Sequence, residues 1–272
     1  MKKYNKNFCK EYVQKRKDIL KDKIAKLENK PTLCIIQIGD SFASNKYVSG
    51  KIKDSEEVGI VTTLLKFNED IKEEELLQEI YSANEMYNGL IVQLPLPKHI
   101  SVKKIQKAIK YDVDVDGFNS GSPFYPCTPL GILNLLNEVC DLNGKNVVIL
   151  GRSDIVGRPM ANLLIKKSNA TVTICNSYTK NIENYTKKAD VLISAIGKPK
   201  FITADMIKKD VIIIDVGINQ DKNGKMCGDV DYVTVEPLSE FITPVPGGIG
   251  LITRLTLLEN TYNSYNRKSD VF

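Results

Sequence analysis

Short apolar runs alternate along this chain with longer stretches in which apolar residues return every three or four positions. The first pattern fits buried strands and the second amphipathic helices. Residues 10–29 predict a helix with Ile19, Leu20, Ile24 and Leu27 on one face. Residues 33–38 read as a buried strand closed by Gly39 and Asp40, 43–57 as a helix, 60–65 as a strand and 73–86 as a helix. A strand over 90–93 is stopped by Pro95 and Pro97, and a helix follows over 101–109. Strands alternating with helices predict βαβ units and parallel sheet.

A second series starts near residue 144. The strand 146–150 runs into Gly151, a helix is expected over 158–167, and strands follow at 171–175, 191–196 and 211–216. Between the series, 128–140 reads as a linking helix, with Thr128 as N-cap and Pro129 in the first turn. The reading is an α/β chain of two open α/β domains, the second opening like a mononucleotide-binding unit. A chain of 272 residues accommodates both.

Composition narrows the function classes. Hydrophobic residues make up 42% and charged residues 26%, close to the globular average, which argues against disorder. No run approaches the ~20 apolar residues of a membrane span. The basic start at residues 1–7 leads into no apolar signal core, so a cytoplasmic protein is expected. The net charge of +5 is spread over dispersed lysines, which fits an anionic small ligand rather than a nucleic-acid surface. The six cysteines (Cys9, Cys34, Cys127, Cys140, Cys175, Cys227) form no Cys-x-x-Cys pair, so reduced thiols are expected, with no metal site and no disulfide framework. The single histidine, His99, follows a Pro-rich turn and reads as a loop residue, which leaves a Ser-His-Asp triad without a well-placed base.

The segment Gly151-Arg152-Ser153-Asp154-Ile155-Val156-Gly157-Arg158-Pro159 follows a strand and opens a helix. Backbone N–H groups and the helix dipole can hold a pyrophosphate in that context. The glycines depart from Gly-x-Gly-x-x-Gly, with Ser153 in the middle place, so a plain strand-to-helix turn is the competing reading. The next strand ends in Asn176-Ser177-Tyr178-Thr179 and lacks the acid that binds a ribose 2′-hydroxyl in NAD-selective folds. Arg152 and Ser177 can instead bind a 2′-phosphate, which favours NADP.

Elsewhere, Ser44, Tyr47 and Lys51 fall on one face of a predicted helix, either as a chemical cluster or as a solvated face. Lysine can shuttle a proton when its pKa is lowered. Gln93 ends a strand at the carboxyl edge, where open α/β sheets bind ligands. Asp112, Asp114 and Asp116 alternate before Gly117, as a turn or as a partial ion site. The stretch Thr243-Pro244-Val245-Pro246-Gly247-Gly248-Ile249-Gly250 is stiff enough to approach a ligand closely, or simply leads into the amphipathic run 251–260.

Together these segments resemble the bifunctional methylenetetrahydrofolate dehydrogenase/methenyltetrahydrofolate cyclohydrolase family. The resemblance rests on Tyr47-x-x-x-Lys51, Val92-Gln93-Leu94-Pro95-Leu96-Pro97, Asp114-Val115-Asp116-Gly117-Phe118, Pro126-Cys127-Thr128-Pro129-x-Gly131, the Gly151–Pro159 turn, Asp215-Val216-Gly217-Ile218-Asn219 and the Pro-Gly-Gly loop. It implies a folate-binding catalytic domain over 1–121, completed by a C-terminal helix at about 250–272. A linking helix at 122–140 and a Rossmann-like NADP-binding domain at 141–249 would follow, with a folate cleft between the domains. Lys51 would relay protons in the cyclohydrolase step, Tyr47 would pack on the folate, and Gln93 would hydrogen-bond Lys51. Asp116 would anchor the pterin and Ser44 would support the cluster, while Pro246, Gly247 and Gly248 would close over the substrate. Gly151, Arg152, Ser153, Ser177 and Ile218 would bind NADP. The resemblance also implies a place in one-carbon metabolism and homodimers formed through the cofactor domains.

Two departures stand out. Leu251 occupies the place where the family usually carries proline after Gly-Gly-x-Gly, and Asp112 adds an acid ahead of Asp114-Val115-Asp116-Gly117. Alignment on Gly117 makes Asp116 the pterin ligand. The alternatives are a monofunctional, NAD-dependent dehydrogenase, which predicts loss of the lysine or an acidic cofactor discriminator, and a non-catalytic dinucleotide sensor, which has no need of Tyr47, Lys51, Gln93 and Asp116 together.

Overall fold

The computed structural model describes residues 4–119 and 121–269. Its elements are α1 (Phe8–Ala25), β1 (Thr32–Ile38), α2 (Phe42–Val58), β2 (Val61–Phe67), α3 (Glu73–Met86), β3 (Gly89–Val92), α4 (Val102–Ala108), α5 (Cys127–Val139), β4 (Asn146–Leu150), α6 (Gly157–Lys167), β5 (Thr171–Cys175), α7 (Glu183–Thr186), β6 (Val191–Ser194), β7 (Val211–Asp215), β8 (Asn219–Gln220), β9 (Met226–Cys227), α8 (Tyr232–Val235), β10 (Ser239–Ile242) and α9 (Ile249–Ser269). The chain divides into two units. One comprises Gln14–Cys127 with the segment from Arg254 onward, and the other comprises Thr128–Thr253 with the segment up to Val13. The helix expected as a separate linker, α5, is thus counted almost wholly with the second unit.

In the Gln14–Cys127 unit, a parallel sheet of order β2-β1-β3 is built on β1, which pairs with both neighbours. Leu33 and Ile35 pack on one face of β1, while Cys34, Ile36 and Ile38 pack on the other. Because both faces are covered, this strand reads as an unbroken apolar run. Helix α2 starts where the Ser41 hydroxyl accepts the Ser44 N–H at 3.2 Å, and stops at Gly59 with φ 87°. Such a left-handed stop favours glycine. Two details differ from expectation. Helix α1 ends at Ala25 rather than 29, and Ile19 is 45% exposed, because the buried stripe of α1 runs through Val13, Leu20 and Ile24.

In the Thr128–Thr253 unit, five parallel strands run in the order β10-β7-β6-β4-β5. Strand β4 lies between β5 and β6, so the chain leaves it in one direction and returns on the other side, which creates a switch point at its carboxyl end. The expected strands 191–196 and 211–216 end earlier, at Ser194 and Asp215. The short elements α7, β8, β9, α8 and β10 were not anticipated from periodicity, because two to four residues carry too little of it. Thr128 is not the N-cap of α5; that helix begins at Cys127, and the Thr128 hydroxyl lies 2.9 Å from that of Thr253.

Candidate active site and dinucleotide site

Helix α2 and the end of β3 place the chemistry of the Gln14–Cys127 unit. Ser44, Tyr47 and Lys51 do share one side of α2, but not as a solvated face, because Lys51 is only 5% exposed. Its Nζ donates to Gln93 Oε1 at 3.0 Å and lies 5.3 Å from the centroid of the Tyr47 ring. Gln93 follows β3 directly. Its backbone N–H continues the ladder to Ile36 O, and its side-chain amide donates to Leu94 O at 2.7 Å. That second bond fixes which end of the amide faces Lys51. Burial pushes the Lys51 amine below the ordinary lysine range; Asp116 and Cys127 oppose this shift and Arg254 adds to it. A lysine held this way can exist as a neutral amine, the form able to accept a proton.

The three alternating aspartates separate by environment. Asp112 lies at the surface, 3.8 Å from Lys268 Nζ. Asp114 is fully buried and accepts the N–H groups of Phe118 (3.0 Å) and Asn119 (2.7 Å). Burial raises its carboxyl to about 6 against the pull of those bonds. The segment is therefore a turn: Gly117 N–H reaches Asp114 O at 3.1 Å, and Gly117 adopts φ 64°. A Cβ on Gly117 would lie 2.5 Å from the Pro126 nitrogen. Asp116 is half-buried, and its charge acts on Lys51 and on Cys127. Cys127 received no role from the sequence although it stands in one of the quoted motifs. Its thiol lies 3.3 Å from Val115 O and is pushed well up by burial and by Asp116.

The switch point of the Thr128–Thr253 unit holds the second site. Gly151 follows β4 with φ 103°, and a Cβ there would lie 2.3 Å from Ala195 O, just past β6. A Cβ on Gly157 would lie 2.1 Å from Gly151 O. Both glycines are thus required by the close passage of backbone, although the motif lacks its middle glycine. Ser153, in the middle place, does different work: its hydroxyl accepts the N–H groups of Val156 at 3.2 Å and Gly157 at 3.4 Å at the start of α6. Arg152 and Ser177 are exposed, and no ion pair holds Arg152 among the described residues. After β5, Asn176 organises a turn by accepting Tyr178 N–H at 2.9 Å, and no acid ends that strand. Ile218 is 64% exposed.

Sequence reasoning missed the frame beneath Ile218. Asp215, at the carboxyl end of β7, accepts the N–H groups of Gly217, Asp229 and Val230 at 2.9–3.0 Å. Asp229 accepts from the Ser194 hydroxyl, Ile196 N, Lys198 N and the Asn219 side-chain amide. Both acids are buried. Gly217 and Gly228 leave room for them, since a Cβ at either would lie within 2.2 Å of a carboxylate oxygen. Asp215 stands in one of the quoted motifs, Asp215-Val216-Gly217-Ile218-Asn219, but the sequence assigned it no role, and nothing in the local pattern points to Asp229 as its partner. Thr243 ties the Pro-Gly-Gly loop to the same frame, its hydroxyl 2.8 Å from Asp215 N. In that loop Pro246 is exposed, Gly247 adopts φ 104° and Gly248 is buried; Ile249 then opens α9 directly.

Residues 8–116 match the family described as tetrahydrofolate dehydrogenase/cyclohydrolase, catalytic domain, and residues 126–269 match its NAD(P)-binding domain. A protein of Bacillus cytotoxicus named bifunctional protein FolD is 46% identical over 272 residues, covering 94% of this chain and 95% of its own. Among solved structures, the bifunctional FolD methylenetetrahydrofolate dehydrogenase/cyclohydrolase of Campylobacter jejuni superposes with a TM-score of 0.91 at 42% identity, covering 95% of this chain and 97% of that one. The Trypanosoma brucei methylenetetrahydrofolate dehydrogenase-cyclohydrolase, solved with NADP and an inhibitor, gives 0.90 at 31%, covering 96% and 97%.

Proposed function

Because the chain belongs to the tetrahydrofolate dehydrogenase/cyclohydrolase family, we propose that it oxidises 5,10-methylenetetrahydrofolate with NADP and hydrolyses the resulting methenyl cation to 10-formyltetrahydrofolate. The observation that carries this reading is the buried Lys51 amine, fixed between Gln93 Oε1 and the Tyr47 ring. A buried lysine with one neutral acceptor and lowered basicity is suited to proton transfer and poorly suited to stability.

The two steps ask different things of the protein. The folate nitrogens stabilise the cation that forms as hydride leaves, so oxidation mainly needs alignment. Tyr47 supplies a flat surface for the folate, and the Asp116 carboxylate matches the exocyclic amine and ring N–H of the pterin. Ser44, Pro246, Gly247 and Gly248 contribute to substrate binding. Hydrolysis also needs a proton relay. Neutral Lys51 takes a proton from the water that attacks the methenyl carbon; the adduct then collapses to a carbonyl, the bond to N5 breaks, and N5 takes up a proton. One proton is released overall. Gln93 holds the amine towards this work.

The turn after β4 fits a dinucleotide on its own geometry. Gly151 and Gly157 permit the close backbone passage, and the N-terminus of α6 would hold a pyrophosphate. Arg152 and Ser177, with no acid ending β5, suit the 2′-phosphate, and Ser153 and Ile218 complete the site. Bound NADP supplies the acceptor for the hydride.

We further infer a homodimer formed through the Thr128–Thr253 unit, whose edge strand β5 leaves one hydrogen-bonding side open. A cytoplasmic setting fits the six free thiols. No helix among the described residues is long and apolar enough to cross a membrane. The deciding experiment is an absorbance assay with methylenetetrahydrofolate and either cofactor. Turnover with NADP, followed by loss of the methenyl absorbance, is expected. Binding of NADP without turnover would instead identify a sensor.

A further inference from the structure

A second charged group lies beside Lys51, outside the machinery assigned above. Arg254 of α9 places Nε 2.8 Å from Asp54 Oδ2, a carboxylate one helical turn beyond Lys51 on α2. That Nε is buried and has no hydrogen-bond partner, so the pair is a charge contact rather than a hydrogen bond. The guanidinium fills the space a side chain at Gly50 would occupy: a Cβ there would lie 1.9 Å from Arg254 Nη1 and 3.0 Å from Cζ. Gly50 immediately precedes Lys51. On its other oxygen, Asp54 takes Lys17 at 2.6 Å, and Lys17 also reaches Glu57 at 2.8 Å. Two cations and two carboxylates thus form a balanced, largely buried cluster against the lysine-bearing turn of α2.

We propose that Arg254, clamped by Asp54 across Gly50, is a positioning residue whose fixed charge keeps the Lys51 amine available as a base in the hydrolytic step. The inference rests on the role of Lys51 given above. Arginine cannot lose its proton in a protein, so its charge is permanent, and little water intervenes to screen it. The groups facing Lys51 are Tyr47 on its own helix, Gln93 after β3, Asp116 in the turn, Cys127 at the start of α5 and Arg254 on α9. Of these, Arg254 alone acts in the same direction as burial, while Asp116 and Cys127 oppose it. Asp54 serves as the counterweight that sets how much of the arginine's charge the lysine feels.

This arrangement predicts opposite effects from its two halves. Arg254→Gln leaves the cluster one charge negative and should move the Lys51 midpoint upward by about half to one pH unit. Asp54→Asn leaves it one charge positive and should move the midpoint downward. Arg254→Lys should restore wild-type behaviour, whereas Gly50→Ala, by displacing the guanidinium, should follow Arg254→Gln. The direct readout is the Nζ chemical shift in protein labelled with ¹⁵N-lysine, titrated over pH, with the Lys51 signal assigned by its loss in Lys51→Met. The rising limb of the cyclohydrolase pH profile should move with that midpoint in each variant. A merely structural role would lower activity or melting temperature in both variants without separating their midpoints. Midpoints that stay put, or shift the same way, overturn the inference. Midpoints that separate while hydrolysis ignores them refute the role of Lys51 instead. If Asp54→Asn does not fold, the contrast between Arg254→Gln and Arg254→Lys still decides.

Discussion

Replacing Lys51 with methionine keeps the length and apolar stem of the side chain and removes only the amine. Two free energies then change separately. In catalysis, a positioned acid–base group contributes about 10²–10⁴-fold, or ~3–5 kcal/mol of barrier, so cyclohydrolase activity should fall at least about a hundredfold. In stability, the loss of the 3.0 Å bond strips the half-buried Gln93 Oε1 of its donor, which costs about 1 kcal/mol, towards the low end for a lost acceptor partner. The same change removes a polar group that is 5% exposed and whose burial is itself unfavourable. These terms oppose each other, so the net change should stay within about 1 kcal/mol, a melting shift of only a few degrees. Dehydrogenase activity, which needs alignment more than proton transfer, should fall much less. The assay supplies methylenetetrahydrofolate and NADP and follows the methenyl absorbance, which should rise and persist. Wild-type hydrolysis of methenyltetrahydrofolate by a folded Lys51→Met protein would refute the relay. A melting temperature lower by ten degrees or more would show that the amine serves the fold.

Further outcomes follow from the same geometry. Arg152→Ala should weaken NADP binding about ten- to a hundredfold while barely altering NAD, because a charge-assisted contact contributes ~1.5–3 kcal/mol; titration calorimetry with both cofactors checks this, and equal weakening would reduce Arg152 to shaping the turn. Asp116→Ala should impair both folate reactions and leave NADP affinity intact; an unchanged folate dissociation constant would redirect the assignment. Asp114→Asn tests the buried turn through pH. The Asp114 carboxyl titrates near 6 when folded and near 3.8 in its ordinary state, so the folded protein holds the extra proton between these values. Its contribution to stability is therefore present below about 4 and is lost as pH rises towards 6. The stability deficit of Asp114→Asn relative to wild type should thus be larger at pH 4.5 than at pH 7 in urea unfolding; a deficit that does not change with pH would argue against the raised value.

The pattern of the sequence alone carries the alternation of strand and helix, the parallel sheets and the span of α3, because a run of fourteen residues holds several turns of periodicity. It also carries Tyr47, Lys51 and Gln93, since helical spacing and a strand end place them without knowledge of the rest of the chain. Local pattern could not say whether Lys51 is solvated or buried. That depended on segments far apart in sequence, with Gln93 42 residues away and Arg254 on the last helix. It could not separate Asp114 from Asp116 either, because alternation is symmetrical until the turn closes and one carboxylate receives the backbone N–H groups. The Asp215–Asp229 frame was equally hidden, since each acid becomes necessary only once buried donors from several loops converge on it. Periodicity reports which side of an element meets the interior. Which polar groups meet one another there is decided by tertiary packing, because a buried charge is tolerated only where the folded chain brings it partners.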